Sequence, residues 1–420
     1  MQLSPANLND LTKTPTIPCA VLHVALNPVT GAWSVMRDLA LAQAASGRYA
    51  AVGIGVIASK AWPDCYATEL AEIGLPSYRC KTLDVFGTAQ FLWQRWQPPP
   101  VDKWAGDLVR LSRVSQAIVH LHNAWLSGVF LPLKTVADGV VTVVATMHGM
   151  PANFHRRPLR HQLHRWMASR LIRYHARLTS VDRPGTLQAE RLLGIPRETF
   201  TVIPNGVADD QTLRANKWTG EGAFQFGYLG NLDENKGWQI GAKAAVALTA
   251  MGRPVRYLVA GGGPQSEQAQ AWQRRHPGII EYLGHVSQPR WNLLPKLHAL
   301  TLMSSNEGLP LCMIEALSIG LPVIATRAGG IPDALSDDIN ALLVSRDAES
   351  LANAIVRLCE QPMEHARLGS EGRRLFLKSF DLRHILQRYH NLYLQSLQEL
   401  HHPPIRNMLG SNQSHAALSD

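Results

Sequence analysis

The 420-residue chain has no apolar run of ~18 residues free of charge, so no membrane-spanning helix is expected. Cysteine is sparse: Cys19, Cys65, Cys80, Cys312 and Cys359 are odd in number and form no C-x-x-C pair. That argues against a disulfide framework or a zinc site and fits reduced thiols in the cytoplasm. The first seventeen residues lack the basic-then-apolar order of a secretory signal. No P-loop, H-E-x-x-H or G-x-S-x-G is present, which leaves NTPase, zinc-protease and α/β-hydrolase chemistry without support. Acid is missing from one long segment, residues 155 to 177, which carries seven arginines and four histidines.

With 46% hydrophobic and 17% charged residues, the chain has material for two cores, and its length exceeds what one core usually serves. The net charge of +9 is lopsided: residues 1 to 190 hold 19 Lys and Arg against 11 Asp and Glu, residues 191 to 420 hold 22 against 21. A basic first half implies an anionic partner there, such as a bilayer surface, a phosphorylated lipid acceptor or nucleic acid.

The first half alternates strands and helices. Strands are expected at Ala20 to Ala25, Tyr49 to Ala58, Ala117 to His122 and Val140 to Thr146, with a helix from Trp33 to Ala45. Gly53-Ile-Gly-Val-Ile-Ala58 fits G-x-G-x-x-A on paper, but its glycines fall inside a strand. The arginine-rich segment is predicted helical, with Leu159, Leu163, Trp166, Met167, Leu171 and Tyr174 on one apolar face. It reads either as a helix on an anionic membrane or as a layer helix packed on its own sheet. The second half, from about Gly222, predicts six strands: Phe224 to Gly230, Arg256 to Ala260, Ile279 to Leu283, Leu300 to Met303, Pro322 to Ala325 and Ala341 to Val344. Helices are expected at 347 to 361 and 381 to 398, and disorder from His401 onward.

The segment Ser304-Ser-Asn-Glu-Gly-Leu-Pro-Leu-Cys-Met-Ile-Glu-Ala-Leu-Ser-Ile-Gly320 carries most of the chemistry. It lies between two apolar strands, so a ten-residue helix with Pro310 in its first turn is expected, Glu307 just before it and Glu315 inside. Carboxyl ends of parallel strands are where open sheets bind ligands, and a helix N-terminus there suits a diphosphate. The two carboxylates would accept sugar hydroxyls; the plainer alternative is a solvated loop acid and a capping residue.

Glu307 and Glu315 match the E-x7-E signature of retaining glycosyltransferases. Around them, Val202-Ile-Pro-Asn-Gly-Val207, the turn from Gly230 to Gly237, Leu258-Val-Ala-Gly-Gly-Gly-Pro264, Tyr282-Leu-Gly-His-Val286 and Ala328-Gly-Gly-Ile-Pro-Asp333 resemble the motifs of family 4 glycosyltransferases, in the family's order. The likeness is dense from about 178 to 345 and thinner from 20 to 150. It implies an α/β fold of two Rossmann-like, doubly wound domains facing each other across a cleft (GT-B). The expected divisions are 18–205 on the acceptor side, 206–380 on the donor side, 381–400 as a helix crossing back, and 401–420 as a tail.

The resemblance implies that Lys236 binds the donor diphosphate, Glu315 the ribose and Glu307 the transferred sugar. It also implies that His148 lies against that sugar, and that Gly230, Gly262, Gly308, Leu309 and Leu311 line the donor site. Two positions depart from the pattern. Asn231 stands where relatives carry an Arg, so one phosphate charge needs another partner. Thr30-Gly31-Ala32 stands where relatives have a Gly-Gly loop. His120 and His122 share one strand face and read as structural. No D-x-D is present to hold a divalent metal, which agrees with a metal-independent site needing no cofactor beyond the nucleotide-sugar substrate.

The expected activity is retaining transfer of a hexose from a nucleotide sugar to a saccharide or lipid-linked acceptor, in surface or exopolysaccharide biosynthesis. The expected location is the cytoplasm or the inner face of the membrane. Rival readings are a phosphorylase or epimerase on the same fold, a non-catalytic nucleotide-sugar subunit, and a nucleic-acid binder. The last has no legible module and few aromatics beside its arginines.

Overall fold

The computed structural model describes residues 17–26, 31–59, 71–82, 100–122, 133–149, 158–174 and 176–401. Continuous Val, Ile, Leu and Ala runs give strands covered on both faces, the mark of parallel sheets between helical layers. The first sheet contains β1 (Ile17–Leu26), β2 (Tyr49–Ser59), β3 (Ser77–Thr82), β4 (Ala117–His122), β5 (Val141–Met147), β6 (Arg177–Ser180) and β7 (Phe200–Val202). They lie in the order β3-β2-β1-β4-β5-β6-β7, every pair parallel. The second holds β8 (Phe224–Leu229), β9 (Val255–Ala260), β10 (Ile280–Gly284), β11 (Ala299–Leu302), β12 (Val323–Thr326) and β13 (Leu342–Val344). Its order is β10-β9-β8-β11-β12-β13, also all parallel. The two α/β domains are the Rossmann-like pair of a GT-B fold. Strand order reverses between β1 and β4 in one sheet and between β8 and β11 in the other, and those reversals open the crevices that bind ligands.

Each sheet is sandwiched between two apolar clusters. Side-chain alternation sorts β1 into Ala20, Leu22 and Val24 on one face and Cys19, Val21 and Ala25 on the other. The second face is covered by the Gly31–Ala45 helix and by the last helix, Leu382–His401. Leu382, Ile385, Leu386, Tyr389, Leu392, Tyr393 and Leu397 of that last helix belong to the first domain's core, so the chain's end completes the domain its start began. The two crossings between domains run side by side. Val207 N–H donates to Phe380 O at 3.1 Å, and Leu382 N–H donates to Val207 O at 2.9 Å.

Several elements differ from the sequence expectation. The strands β3, β6 and β7 were not expected, nor were the helices Pro100–Ser112 and Pro362–Ser379, although Val101, Trp104, Ala105 and Leu108 of the first recur at helical spacing and are buried. The strands among these are short or lie toward the sheet's edges, where less apolar surface is needed. The glycines of 53–58 lie inside β2, away from any strand-to-helix turn. In the arginine-rich helix, Pro158–Arg173, Ala168 and Leu171 are buried. Trp166 is 38% exposed, correcting its place on the packed face, and the Arg170 guanidinium lies 4.9 Å from its ring centre. Among the described residues, no helix is long and apolar enough to cross a membrane. The tail was expected from His401, but His401 is the last residue of the final helix, and residues 402–420 lie outside the described ones.

Candidate active site

The β11–helix–β12 unit forms as the segment's pattern dictates, with one correction. The helix is Leu311–Ile319, nine residues, and Pro310 is its N-cap with an extended ψ of 127° rather than a member of its first turn. Glu307 lies in the preceding loop. Its carboxylate takes both oxygens to Lys236 Nζ, at 2.8 and 2.7 Å, and accepts the Ser304 hydroxyl at 2.6 Å. The side chains are 9% and 27% exposed, so this ion pair is shielded but still reached by solvent. It ties β11's end to the turn after β8.

That turn, Gly230 to Gly237, is organised by Asp233, a residue the sequence reading passed over. Asp233 accepts from the backbone of Asn235 at 2.9 Å and Lys236 at 3.2 Å, and from the Asn231 carboxamide at 2.7 Å. Asn231 is therefore turned toward Asp233. The neighbouring glycine turn holds the loop from the other side: Leu232 N–H donates to Gly262 O at 2.8 Å. Gly261 has φ +129°, and a Cβ there would stand 1.8 Å from Gly230 O, so only glycine fits. At Gly262 a Cβ would meet nothing within 4 Å, leaving that position open.

The first domain meets this loop directly. His148 follows β5, and its carbonyl oxygen would stand 2.7 Å from a Cβ at Gly308. Asn205 Nδ2 donates to Leu309 O at 2.9 Å, and Leu309 is buried. Asp182, at the end of β6, caps the Arg183–Leu193 helix through Gly185 N–H and packs its side chain against Gly330. Burial pushes the Asp182 carboxyl up to about 6, Asp333 adds to this, and the Gly185 N–H opposes it. The Asp-x-Pro start of that helix marks Asp182 as a cap in the sequence but not as a cross-domain contact. His148 stays neutral: burial pulls it down to about 4 against the opposing influence of Asn205.

Glu315 is one turn into the helix and half-buried. Desolvation pushes its carboxyl up to about 7, with Arg290 and Arg37 pulling it down and Asp38 pushing up. Arg290, buried and donating from Nη1 to Ala208 O at 2.7 Å, is a second residue that no motif announced. Leu311 opens the helix, half-buried. Gly31 and Ala32 open the Gly31–Ala45 helix, and Thr30 lies outside the described residues. The structure thus unites Lys236, Glu307, Gly308, Leu309 and His148 in one crevice, with Glu315 farther along the same helix and Gly230, Asn231 and Gly262 framing the lysine turn.

Known proteins bear on this geometry. Residues 29–211 match the model of Glycosyltransferase Family 4, and residues 223–361 match the model described as glycosyl transferases group 1. A glycogen synthase of Mycobacterium tuberculosis is 24% identical over 287 residues, 66% of this chain and 68% of that one. A putative colanic acid biosynthesis glycosyltransferase of Escherichia coli is 28% identical over 184 residues, covering 39% and 43% of the two chains. Among solved structures, the Anabaena protein HepE, solved with UDP and glucose, superposes with a TM-score of 0.68 at 18% identity. That match covers 89% of this chain and 99% of that one, and at such identity it speaks for the fold. Matched in both halves and built on the two-domain architecture, the chain belongs to the family 4 glycosyltransferases, nucleotide-sugar-dependent enzymes of the GT-B fold.

Proposed function

We propose that the chain moves a hexose from a nucleotide sugar to a saccharide or lipid-linked acceptor with retention of configuration and without a metal ion, in surface or exopolysaccharide synthesis. One observation carries the reading: the Lys236–Glu307 ion pair at the carboxyl end of the second sheet lies in the loop whose Gly308 abuts the His148 backbone after β5 of the first. Lys236 would neutralise the departing diphosphate, helped by the free N–H groups at the start of the Leu311–Ile319 helix. Glu307 would accept hydroxyls of the transferred sugar, and Glu315 those of the ribose. His148 is half-buried and uncharged, and suits contact with a neutral sugar hydroxyl better than with a phosphate. The Glu307 carboxylate is held by Lys236 and Ser304, which supports front-face attack without a covalent intermediate, the acceptor proton passing to the leaving phosphate.

A uridine nucleotide is the first donor to test, because HepE was solved with UDP and glucose. Incubation with UDP-glucose and candidate acceptors, with and without EDTA, should give an α-linked product equally in both. A β-linked product or strict metal dependence would contradict the mechanism. A second reading, donor binding without transfer, is favoured by Asn231, whose carboxamide is held by Asp233 and brings no charge to the phosphate turn. It predicts UDP-glucose binding with no product from any acceptor.

The Pro158–Arg173 helix supports a further element of the proposal, attachment to an anionic membrane face at the cytoplasmic surface. Trp166 and Arg165 are exposed while Ala168 and Leu171 hold the helix to its sheet. Co-sedimentation with phosphatidylglycerol vesicles at low salt, lost as salt rises, is the expected result; a protein that stays in the supernatant removes the membrane role.

A further inference from the structure

Behind the half-buried His148 lie three buried histidines, of which His23 and His122 continue a hydrogen-bonded chain from its ring to Gln43. His23 lies on β1 and His120 and His122 on β4, with His23 opposite His120 in the sheet register. All three project from the face covered by the Gly31–Ala45 and Leu382–His401 helices. Gln43 Oε1 lies 2.8 Å from His23 Nε2, His23 Nδ1 lies 3.1 Å from His122 Nε2, and His122 Nδ1 lies 2.9 Å from His148 Nε2. Burial pulls His23 and His148 down to about 4 and His120 and His122 well below their ordinary value, so all four rings are neutral near pH 7.

A neutral imidazole has one N–H and one bare nitrogen, so the direction of one bond fixes the next. The Gln43 oxygen can only accept. His23 therefore donates from Nε2 and accepts at Nδ1, His122 donates from Nε2 and accepts at Nδ1, and His148 donates from Nε2. Its Nδ1 is left bare. A proton count gives the same answer. Three rings between two carboxamide oxygens offer three protons for four contacts, and one contact must go unmade. The Asn205 carboxamide faces His148. Its nitrogen is committed to Leu309 O, which turns its oxygen to the ring. His148 Nδ1 and Asn205 Oδ1 are both buried without a hydrogen-bond partner, two acceptors with no proton to share.

The Gln43 amide is oriented in turn by the last helix. Its Nε2 lies 3.5 Å from Tyr393 Oη, which lies 2.7 Å from His120 Nδ1, and His120 Nε2 lies 2.6 Å from Thr146 Oγ1. His23, His120 and His122 stand close enough to hold a metal ion. Their nitrogens are already bonded to Gln43, Tyr393, Thr146, His148 and one another, so a metal would have to displace bonds that are made.

We propose that Gln43, acting through His23 and His122, holds His148 as its Nε2–H tautomer and leaves Nδ1 and the Asn205 oxygen as neighbouring acceptors for substrate hydroxyls. Gln43, His23 and His122 are positioning residues, and the idea rests on the reading that His148 belongs to the active site. Asn205 becomes a substrate-contacting residue on the first domain's side of the crevice.

Long-range ¹H–¹⁵N spectra of the full chain labelled at histidine test this, with His148 assigned through His148→Gln. In the wild type, His148 should show a protonated Nε2 and a bare Nδ1; a protonated Nδ1 overturns the proposal whatever the variants do. Gln43→Glu keeps an acceptor and should keep that pattern. Gln43→Leu should give a mixture of tautomers and lower kcat for UDP-glucose at least ~10-fold with KM unchanged, since a histidine in the wrong tautomer loses rate rather than binding. A pure Nε2–H signal in Gln43→Leu also overturns it. If the spectra fit but His148→Gln turns over UDP-glucose at the wild-type rate, the relay stands and the placement of His148 in the chemistry falls.

Discussion

The two walls of the crevice are built in opposite ways. On the second domain, the site is charged and local: Lys236, Glu307 and Glu315 come from two loops and one helix, held by Asp233 and by close glycine turns. On the first domain it is neutral and dispersed: His23, Gln43, His120, His122, His148 and Asn205 come from three strands, a helix and the interdomain connection. On the proposed reading, the charged wall would take the ionic phosphate and the neutral wall the sugar. The charged wall can be written as short motifs because each loop brings its own geometry. The neutral wall exists only after a sheet has set distant strands side by side.

The largest expected effect falls on the charged wall. Glu307→Gln and Lys236→Ala should each lower transfer at least ~100-fold with folding intact, because each removes a charged partner in a shielded pair. Lys236→Ala should also weaken UDP more than uridine. Equal losses for the two ligands would place the lysine away from the diphosphate and blur the contrast between the walls.

The seam between the walls is the next place to break the comparison. Gly308→Ala puts a methyl 2.7 Å from His148 O, so the domains cannot approach as closely there. Transfer should fall by roughly 10- to 100-fold, since small misplacements of reacting groups carry that cost, while UDP affinity changes little. Unchanged turnover would show that the His148 contact is not part of the reactive arrangement.

Acid should separate the walls through stability. His23 titrates near 6.5 unfolded and about 4 folded, so the unfolded state takes up the proton first. Its contribution is present above pH 6.5 and is lost as pH falls from 6.5 to 4, at about 1.4 kcal/mol per pH unit. Glu315 has the opposite sign: raised to about 7, it binds its proton more readily when folded, and stability from it falls as pH rises from about 4.5 to 7. Urea titrations should show His23→Gln flattening the acid limb. Glu315→Gln should be more stable than wild type by up to about 3 kcal/mol at pH 8, with almost no difference at pH 4. A parallel pH curve for either variant would deny the burial assigned to that residue.

The same contrast explains what was legible in the sequence. The strands of the second domain, the loop place of Glu307 and the helical place of Glu315 follow from apolar runs and turn residues. Pro310 was misplaced by one position because a proline fits both the cap and the first turn. Asn231 marked a missing charge, but nothing local showed Asp233 holding its carboxamide. On the first domain, alternation put His120 and His122 on one face, yet only the strand order β1-β4-β5 sets His23 and His148 beside them. Gln43 and Tyr393 are 350 residues apart and meet because the last helix crosses back. Trp166 read as apolar by spacing and turned outward because Ala168 and Leu171 suffice to seat the helix.

Calorimetric titration of UDP into wild type and Lys236→Ala, beside uridine into both, tests the central claim most directly: that the crevice between the two sheets binds a nucleoside diphosphate through the charged wall. The account predicts wild-type binding of UDP that is tighter than that of uridine, with the advantage reduced at least ~10-fold in Lys236→Ala and uridine affinity nearly unchanged. If no uridine, guanosine or adenosine diphosphate binds wild type, or if the diphosphate advantage survives the loss of Lys236, the site has been placed wrongly.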